Sequence, residues 1–243
     1  MLRFIDISNW QSGLDLRSMD IDAVVVKATE GNWFVDPSCD GWVQQAIDMD
    51  MPWGFYHFAN VSDPIEEADY FISNCDNYFG HGIPILDWEG NPYGSGDQSV
   101  DWVNQFVNRV HSKTGVWPWI YGNPWRFNQG GVEPNCMRWV ASYPDVVSPS
   151  FSDAEGWEAP YADGLVGAWQ FCSDGRVSGY DGNLDCDLFY GDKDMWAAYT
   201  CKPVEDDPII EDMPVENPVD ETDSSNTIYE DDRIKVIIEK KGR

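Results

Sequence analysis

Eight short apolar runs, rich in residues that favour β-strands, recur along the first 202 residues and limit the folds open to this chain. Stripes of apolar residues at helical spacing lie between several of them. Strands that alternate with helices form parallel sheets with helical crossovers, and eight such units close into a barrel. The sequence therefore predicts an α/β fold, an irregular (β/α)8-type barrel with short later connections and a short acidic C-terminal extension. The predicted strands cover residues 3–7, 23–27, 53–58, 83–87, 116–121, 138–141, 165–171 and 184–189.

Two of three predicted helices carry start or stop signals. Asp63 and Pro64 supply an N-cap and a proline at the first helical position, and acidic residues follow in the first turn. The apolar residues between Val103 and Val110 recur at helical spacing, and this stripe stops at Gly115. A third helix is predicted over residues 39–49. These helices are expected to connect the early strands of the barrel.

The composition changes after Cys201. Residues 203–243 hold 13 acidic and 5 basic residues, four prolines and almost no aromatic side chains. We predict a barrel over residues 1–202, an acidic linker over 203–226 and a short β-prone tail over 227–243. A single strand is not stable alone, so the tail is expected to dock on its own domain, to self-associate with a second copy, or to stay disordered.

The formal net charge of −28 excludes whole classes of partner. Nucleic-acid binding needs Lys and Arg to displace counterions from phosphates, and an anionic membrane surface repels so acidic a protein. No stretch approaches the roughly 20 apolar residues of a membrane-spanning helix, and the first residues lack the basic and apolar regions of a signal peptide. The sequence thus predicts synthesis in the cytoplasm and no nucleic-acid or membrane partner.

The cysteines and histidines do not show a metal-binding spacing. No CxxC pair occurs, and His57, His81 and His111 lie far apart in the sequence, whereas structural zinc needs closely spaced ligands. We predict no metal site and no organic cofactor. Buried free thiols are expected, and Cys172 with Cys186 is the first pair to test for a disulfide bond.

Carboxylates stand on three predicted strands at the ends where barrels of this type place their chemistry. The first strand carries Asp6, the fourth carries Asp87 and Glu89, and the last carries Asp185. The first and last strands of a closed barrel are neighbours, so Asp6 and Asp185 are expected side by side. Carboxylates gathered at one mouth repel each other, and the least solvated keeps its proton near neutral pH. A protonated acid beside an ionised one is suited to glycosidic cleavage, with helix capping or surface solvation as the alternative.

Aromatic side chains at or just after the strand ends favour a carbohydrate ligand, because sugar rings present flat C–H faces that stack on aromatic rings. Each of them is also a candidate core residue. Phosphate-loop, dinucleotide-binding and GxSxG nucleophile motifs are missing from the sequence. The aromatic candidates are Trp10, Tyr56, Trp88, Tyr121, Trp125, Trp139 and Trp169.

Eight segments follow one another along the first 200 residues: FIDISNWQ, AVVVKATEG, GFYHFA, ILDWEG, WIYGNP, RWVASY, GAWQF and LDCDLF. In these segments and their order, residues 1 to about 200 resemble glycoside hydrolase family 25, the muramidase-type lysozymes. The resemblance implies hydrolysis of the β-1,4 bond between N-acetylmuramic acid and N-acetylglucosamine in peptidoglycan, on an irregular β/α barrel with an acidic groove. By the same motifs, Glu89 is expected to be the general acid, assisted by Asp6, Asp87 and Asp185.

The resemblance also supplies candidates for substrate binding and one departure. Tyr56, Tyr121 and Gln170 match positions that line the family's cleft, and Asp187 stands where a neutral Asn is expected. We hypothesise that the extra acid raises the proton affinity of Glu89. The full predicted set of substrate-binding residues is Tyr56, Tyr121, Trp10, Trp88, Trp139 and Gln170.

Several alternatives stay open at this level. A carboxylate, an activated water and the substrate's own acetamido oxygen are each compatible as the attacking group. The rival enzyme is a chitin-type glycosidase, although its DxxDxDxE signature is missing. The rival without activity is a carbohydrate-binding or virion structural protein on the same fold. A phage endolysin released through a holin is the expected origin, with a bacterial autolysin exported by another route as the alternative.

Overall fold

The computed structural model describes residues 1–91 and 96–201, and the predicted linker and tail lie outside the described residues. Nine strands and six α-helices occur within these two ranges. The strands are β1 (Leu2–Ile7), β2 (Ala23–Glu30), β3 (Phe34–Val35), β4 (Trp53–Phe58), β5 (Ile83–Asp87), β6 (Trp119–Gly122), β7 (Arg138–Ala141), β8 (Val166–Gly175) and β9 (Leu184–Phe189). The helices are α1 (Cys39–Asp48), α2 (Pro64–Asn74), α3 (Val100–Thr114), α4 (Pro124–Phe127), α5 (Phe151–Ala154) and α6 (Lys193–Ala198).

Eight of the strands close into a barrel. Strands β1, β2, β4, β5, β6, β7 and β8 pair in parallel in this order, and β9 pairs antiparallel with both β8 and β1. The two-residue β3 pairs antiparallel with β2 outside the closed barrel. The predicted α/β barrel is therefore confirmed, as a closed mixed barrel in which one strand is reversed.

The reversal of β9 follows from the length of its connection. Only residues 176–183 separate β8 from β9. A parallel neighbour needs a crossover of a dozen or more residues, usually a helix, whereas antiparallel strands can join through a tight loop. Strands β8 and β9 therefore form a hairpin, and the prediction of eight parallel strands was wrong at this point.

The early helices begin and end where their sequence signals lie. The Asp63 carboxylate accepts hydrogen bonds from the backbone N–H groups of Ile65 and Glu66 at the start of α2. Helix α3 ends at Gly115, which has a φ of 74° and so adopts the left-handed conformation that favours glycine. The later connections contain only the four-residue helices α4 and α5, in line with the predicted irregularity.

Two apolar layers result from the alternation of side chains along each strand. One lies between the barrel and its helices and includes Phe71 and Phe106. The other fills the barrel interior and includes Phe4, Trp119 and Phe189. Trp196 of α6 packs edge-on against these three rings and donates from Nε1 to the carbonyl oxygen of Trp53, 3.1 Å away. Because Trp53 begins β4, this helix closes the amino-terminal end of the barrel and leaves the opposite end open.

Within the described ranges, no helix combines the length and apolar character that crossing a membrane would require.

Candidate active site

The interior-facing positions change from apolar to acidic toward the open end of the barrel. On β1, Phe4 points into the barrel core and Asp6, two residues later, points the same way at the mouth. On β5, Ile85 is followed in the same manner by Asp87. A period of two along each strand is therefore sufficient to place both carboxyl groups at one end of the barrel.

Asp185 reaches the same end because β9 is reversed. It is the second residue of its strand, and it is the direct partner of Asp6 across the antiparallel pair β1–β9. The predicted neighbourhood of these two acids is confirmed, although Asp185 lies at the start of its strand and not at a carboxyl end.

The open end forms a cleft of about 300 Å³. The cleft brings together the four predicted catalytic acids and most of the predicted substrate-binding side chains. Trp10 lies at its rim, 85% exposed, whereas Tyr56, Tyr121, Trp139 and Gln170 are buried at its floor. The lining residues are Asp6, Ile7, Ser8, Trp10, Gln11, Lys27, Tyr56, Phe58, Asp87, Glu89, Tyr121, Trp139, Tyr143, Gln170 and Asp185.

Trp88 lies behind the cleft and does not line it. Its side chain is fully buried, its Nε1 donates to the carbonyl oxygen of Gln98 at 3.0 Å, and its ring packs edge-on against Phe127. The reason is again alternation: Trp88 stands between Asp87 and Glu89, so it points to the opposite face. Trp88 therefore supports the cleft from the helical layer.

Asp6 is the most constrained of the acids. Gln170 Nε2 donates to its Oδ2 at 2.7 Å, and its carboxyl group is hydrogen-bonded to that of Asp187. Burial and the negative charge of Asp185 raise the pKa of Asp6 well above its usual range, against the opposing effect of the Gln170 hydrogen bond. The pKa of Asp185 is raised to about 6, through burial and the charge of Glu89.

Gln170 is held by two tyrosines. The hydroxyl groups of Tyr121 and Tyr143 both donate to Gln170 Oε1, the first at 2.8 Å. With its acceptor oxygen occupied in this way, the amide of Gln170 is fixed with its nitrogen toward Asp6. This network explains why a neutral residue is buried among the acids.

Asp87 and Glu89 form a second carboxyl pair, hydrogen-bonded to each other. Two carboxyl oxygens can share a hydrogen bond only if one group carries a proton. Burial, the charge of Glu89 and the charge of Asp6 raise the pKa of Asp87 well above its usual range. Burial also raises the pKa of Glu89, against the opposing effects of the Asp87 hydrogen bond and the charge of Arg126, and Glu89 is the member of the pair exposed to the cleft. The pair therefore keeps a proton where a ligand in the cleft can receive it.

Arg126 is hydrogen-bonded to the backbone of Glu89. The guanidinium Nη2 donates to the Glu89 carbonyl oxygen at 2.6 Å, and Nη1 donates to Asp97 at 2.9 Å. Gly90 makes this possible: its φ is 109°, and a Cβ there would come within 2.7 Å of Arg126 Nη2. The glycine of the DWEG segment thus serves both the turn after Glu89 and the close approach of the guanidinium.

Asp187 is completely buried and acts on Asp6. Its Oδ1 accepts a 2.9 Å hydrogen bond from Trp139 Nε1, and its Oδ2 has no conventional donor among the residues that the structure describes. Burial and the charges of Asp6 and Asp185 raise the pKa of Asp187 well above its usual range. A protonated Asp187 that donates to Asp6 satisfies this arrangement, as an asparagine amide would. The hypothesis that Asp187 acts on Glu89 is replaced by this contact with Asp6.

Sequence reasoning missed several lining residues. Lys27 carries a positive charge into the cleft, paired with Glu30 at 2.5 Å, and its ammonium group lies 4.8 Å from the ring centre of Phe58. Its signal was present, because Lys27 follows the interior residue Val25 by two positions on β2. Tyr143 lies in the segment after β7, where no periodicity could have indicated its orientation.

No group of three or more His, Cys, Asp or Glu side chains that could hold a metal ion is found within residues 1–91 and 96–201.

A barrel whose open end gathers hydrogen-bonded carboxyl pairs beside aromatic side chains has the architecture of a glycoside hydrolase. Known proteins agree with this class. The sequence profile of glycosyl hydrolases family 25 matches residues 5–180. The chain therefore belongs to glycosyl hydrolases family 25, and it is a glycoside hydrolase.

Individual relatives cover most of the chain. Lysozyme M1 of Streptomyces globisporus is 30% identical over 207 residues, which are 77% of this chain and 67% of that protein. The N,O-diacetylmuramidase of Chalaropsis sp is 31% identical over 169 residues, or 62% of this chain and 79% of that enzyme. The crystal structure of the bacterial lysozyme from Streptomyces coelicolor superimposes with a TM-score of 0.69 at 27% identity, covering 82% of this chain and 96% of that one.

Proposed function

We propose that this protein is a peptidoglycan hydrolase that cleaves the β-1,4 bond between N-acetylmuramic acid and N-acetylglucosamine, with Glu89 as the general acid. The observation that carries the proposal is the hydrogen-bonded Asp87–Glu89 pair in a cleft that also holds Asp6 and Asp185. Family membership supports the reaction class, and the lysozyme and muramidase relatives support the substrate.

Glu89 is suited to donate the proton because it is the exposed member of its pair. Asp87 is buried beneath it and supplies the hydrogen bond that keeps a proton on the pair. Protonation of the glycosidic oxygen by Glu89 would break the bond to the leaving sugar and leave positive charge on the sugar that remains. As the proton leaves, the Asp87–Glu89 pair gains a negative charge, and this compensates the positive charge on the sugar.

Asp6 and Asp185 are suited to stabilise that positive charge. The Gln170 amide and a protonated Asp187 both donate to Asp6, and these hydrogen bonds lower the cost of ionising it. An ionised Asp6 or Asp185 attracts the oxocarbenium-like sugar electrostatically. Three attacking groups are compatible with this arrangement: a carboxylate, an activated water and the acetamido oxygen of the substrate.

Aromatic side chains are proposed to bind the glycan strand. Trp10 presents an exposed indole at the rim, on a short turn that the Ser8 hydroxyl and the Gln11 side chain cap reciprocally. The ordered turn limits the conformational freedom that the indole would lose on stacking against a sugar. Tyr56, Tyr121 and Trp139 form the floor on which the scissile residue would lie.

The experiment that tests this proposal is the clearing of purified peptidoglycan by wild type and Glu89→Gln. We expect the variant to lose more than about 100-fold in rate, because the amide cannot donate a carboxyl proton. Glu158→Gln is the matched control, since Glu158 is exposed and does not line the cleft. New reducing ends identified by mass spectrometry should carry N-acetylmuramic acid.

Other outcomes would point elsewhere. N-acetylglucosamine at every new reducing end would show that the enzyme cleaves a different glycosidic bond. Cleavage of chitin oligomers in preference to peptidoglycan would support a chitin-type glycosidase. Wild type that binds glycan without cleaving it would support the non-catalytic carbohydrate-binding protein. Unchanged clearing by Glu89→Gln would reassign the acid.

The proposed place of action is the bacterial cell wall, in the manner of a phage endolysin that a holin releases. The corresponding test is expression in a bacterial host with and without a holin. Lysis that requires both the holin and Glu89 would support this role, whereas lysis without a holin would support export by another route.

A further inference from the structure

Cys172 and Cys186 are direct partners across the β8–β9 hairpin. Both are free and buried, and the Cys186 thiol donates to the carbonyl oxygen of Leu184 at 3.7 Å. Both sulfur atoms lie close to Gly175. A Cβ on Gly175 would lie 2.3 Å from Cys186 Sγ and 3.1 Å from Cys172 Sγ. Directly opposed residues of antiparallel strands have Cα atoms about 4.5–5.5 Å apart, within the roughly 4.4–6.8 Å that a disulfide spans. A cross-link therefore fits the present backbone.

The strands near this pair can adjust. The register of β8 against β9 shifts on both sides of Cys172, between Gln170 and Cys172 and between Cys172 and Gly175. Bulges of this kind bend a strand locally and leave a residue outside the regular ladder. The small change in sulfur position that bond formation needs can thus be absorbed within β8.

Cys172 differs from the other thiols of the described chain. The neighbouring Cys186 thiol lowers the pKa of Cys172, whereas the Cys172 thiol and burial raise the pKa of Cys186. Burial raises the pKa of Cys39 to about 12 and that of Cys75 well above its usual range. Because the thiolate is the reactive form, Cys172 is the favoured nucleophile and Cys186 its resolving partner.

A route from solvent leads to the pair. A surface cleft of about 220 Å³ reaches Cys186 and is lined by Arg3, Asp20, Phe151 and Arg176 among others. Its volume is several times that of a small oxidant, since a water molecule occupies about 30 Å³. Cys186 therefore borders a route from solvent, and Cys172 lies directly across the hairpin from it.

We propose that Cys172 and Cys186 form a reversible redox modification site, converted by a peroxide into an intramolecular disulfide that links β8 to β9. The Cys172 thiolate attacks one oxygen of hydrogen peroxide and breaks the O–O bond, giving a sulfenic acid and hydroxide, which takes up a proton. Cys186, losing its proton, attacks the Cys172 sulfur and breaks the S–O bond to release a second water. Two thiols are oxidised by two electrons in total, and one peroxide is reduced to two waters.

The position of the cross-link gives it a structural consequence. Cys186 lies between Asp185 and Asp187 on β9, and Cys172 follows Gln170 by two residues on β8. The disulfide would close a loop of about 15 residues at the loop end of the hairpin that carries these groups, and so stabilise the fold chiefly by restricting the unfolded chain. We expect the melting temperature to rise by roughly 5–10 °C on oxidation.

The test uses the full chain with Cys201→Ser, which removes the exposed thiol. The protein is treated with one equivalent of hydrogen peroxide, its remaining thiols are alkylated in denaturant, and tryptic peptides are identified by mass. Cleavage after Arg138, Arg176 and Lys193 puts Cys172 and Cys186 on separate peptides. We expect peptides 139–176 and 177–193 to be linked, and dithiothreitol to separate them.

Control variants distinguish this pair from the other thiols. Cys136→Ser removes another buried thiol, and the linked peptides are expected to persist in it. Cys172→Ser should abolish them. Links to other cysteines, or irreversible oxidation of Cys172 to a sulfinic acid, would overturn the redox site, as would intact thiols in the folded chain under conditions that oxidise the denatured chain. An unchanged melting temperature in the linked protein would overturn the stabilising effect. The readouts need no glycan, so they do not depend on the proposed muramidase activity.

Discussion

Asp6 and Asp185 lie directly opposite each other on the antiparallel strands β1 and β9. Burial and the charge of Asp185 raise the pKa of Asp6, and burial and the charge of Glu89 raise the pKa of Asp185. The pair joins the first strand of the barrel to the last one, so the electrostatics of the cleft depend directly on how the barrel closes.

Neutralising Asp185 should change the pH dependence of stability. A carboxyl group whose pKa is higher in the folded state than in the unfolded state makes the folded state bind more protons, so stability falls as pH rises between the two values. For Asp185 this window runs from about 4 to about 6. We expect Asp185→Asn to be more stable than wild type at pH 7.5, by about 1–2 kcal/mol after allowance for partial exposure, and nearly equal to it at pH 4.

Thermal unfolding at several pH values measures this effect. Asp181→Asn is the control, since Asp181 is an exposed acid of the neighbouring loop that does not line the cleft. A difference in the free energy of unfolding between wild type and Asp185→Asn that stayed constant from pH 4 to pH 7.5 would contradict the raised pKa of Asp185.

Asp187 should tolerate an amide and not an apolar side chain. Asp187→Asn keeps an acceptor for Trp139 Nε1 and a donor for Asp6, so we expect cleavage within about threefold of wild type near neutral pH. Asp187→Leu leaves the Trp139 N–H unpaired in a buried site, which costs roughly 1–3 kcal/mol of stability. Peptidoglycan clearing measures the activity of both variants, and urea denaturation measures their stability. Equal damage by the two substitutions would show that a carboxyl group is required at this position.

Gln170 should set the acidic limit of activity. Gln170→Leu removes the donor to Asp6 Oδ2, so the pKa of Asp6 rises further and the acidic limb of the clearing profile should move up by about one pH unit. Tyr143→Phe removes a donor to Gln170 while leaving Gln170 beside Asp6, and a smaller shift is expected. An acidic limb in the same place for Gln170→Leu and wild type would exclude Asp6 as the group that titrates there.

Gly90 should be more sensitive to substitution than another glycine of similar backbone conformation. Gly90→Ala imposes a strained φ of 109° and also drives Cβ against Arg126, which holds the Glu89 carbonyl. Gly13→Ala imposes only the strain, because nothing lies within 4 Å of its Cβ position. We expect a cost of about 1–2 kcal/mol for Gly13→Ala, and a larger cost with reduced clearing for Gly90→Ala. Equal stability and activity in the two variants would falsify the positioning role of Arg126.

Trp10 and Trp88 should separate binding from folding. Trp10→Ala removes an exposed rim side chain, so we expect KM for peptidoglycan fragments to rise about tenfold, with kcat and melting temperature little changed. Trp88→Ala empties a fully buried site and should cost about 3–5 kcal/mol of stability. Kinetics on soluble fragments and thermal unfolding measure both. A large loss of stability in Trp10→Ala would place that ring in the fold and not in the cleft.

The sequence predicted most of this barrel because strand and helix periodicity are local properties. Trp53–Phe58 and Ile83–Asp87 were predicted with the bounds they have in the structure. The reversal of β9 does not follow from strand periodicity, because chain direction depends on the length of the preceding connection.

The candidate site was predictable to the same extent. Alternation put Asp6, Asp87 and Glu89 at one end, and the same rule would have excluded Trp88 from the cleft and included Lys27. The contact of Arg126 with the Glu89 carbonyl joins segments far apart in sequence, so no local pattern could indicate it. The pairing of Asp6 with Asp187 depends on the closed barrel and its buried environment in the same way.

The indole of Trp196 has a practical consequence for anyone who shortens or fuses this enzyme. This ring covers the end of the barrel that lies away from the carboxyl groups. It belongs to α6, which begins after the last strand, β9. A fragment that stopped at the end of β9 would contain every proposed reactive group and still expose Phe4, Trp119 and Phe189 from below. Fusion partners should therefore be attached after Thr200.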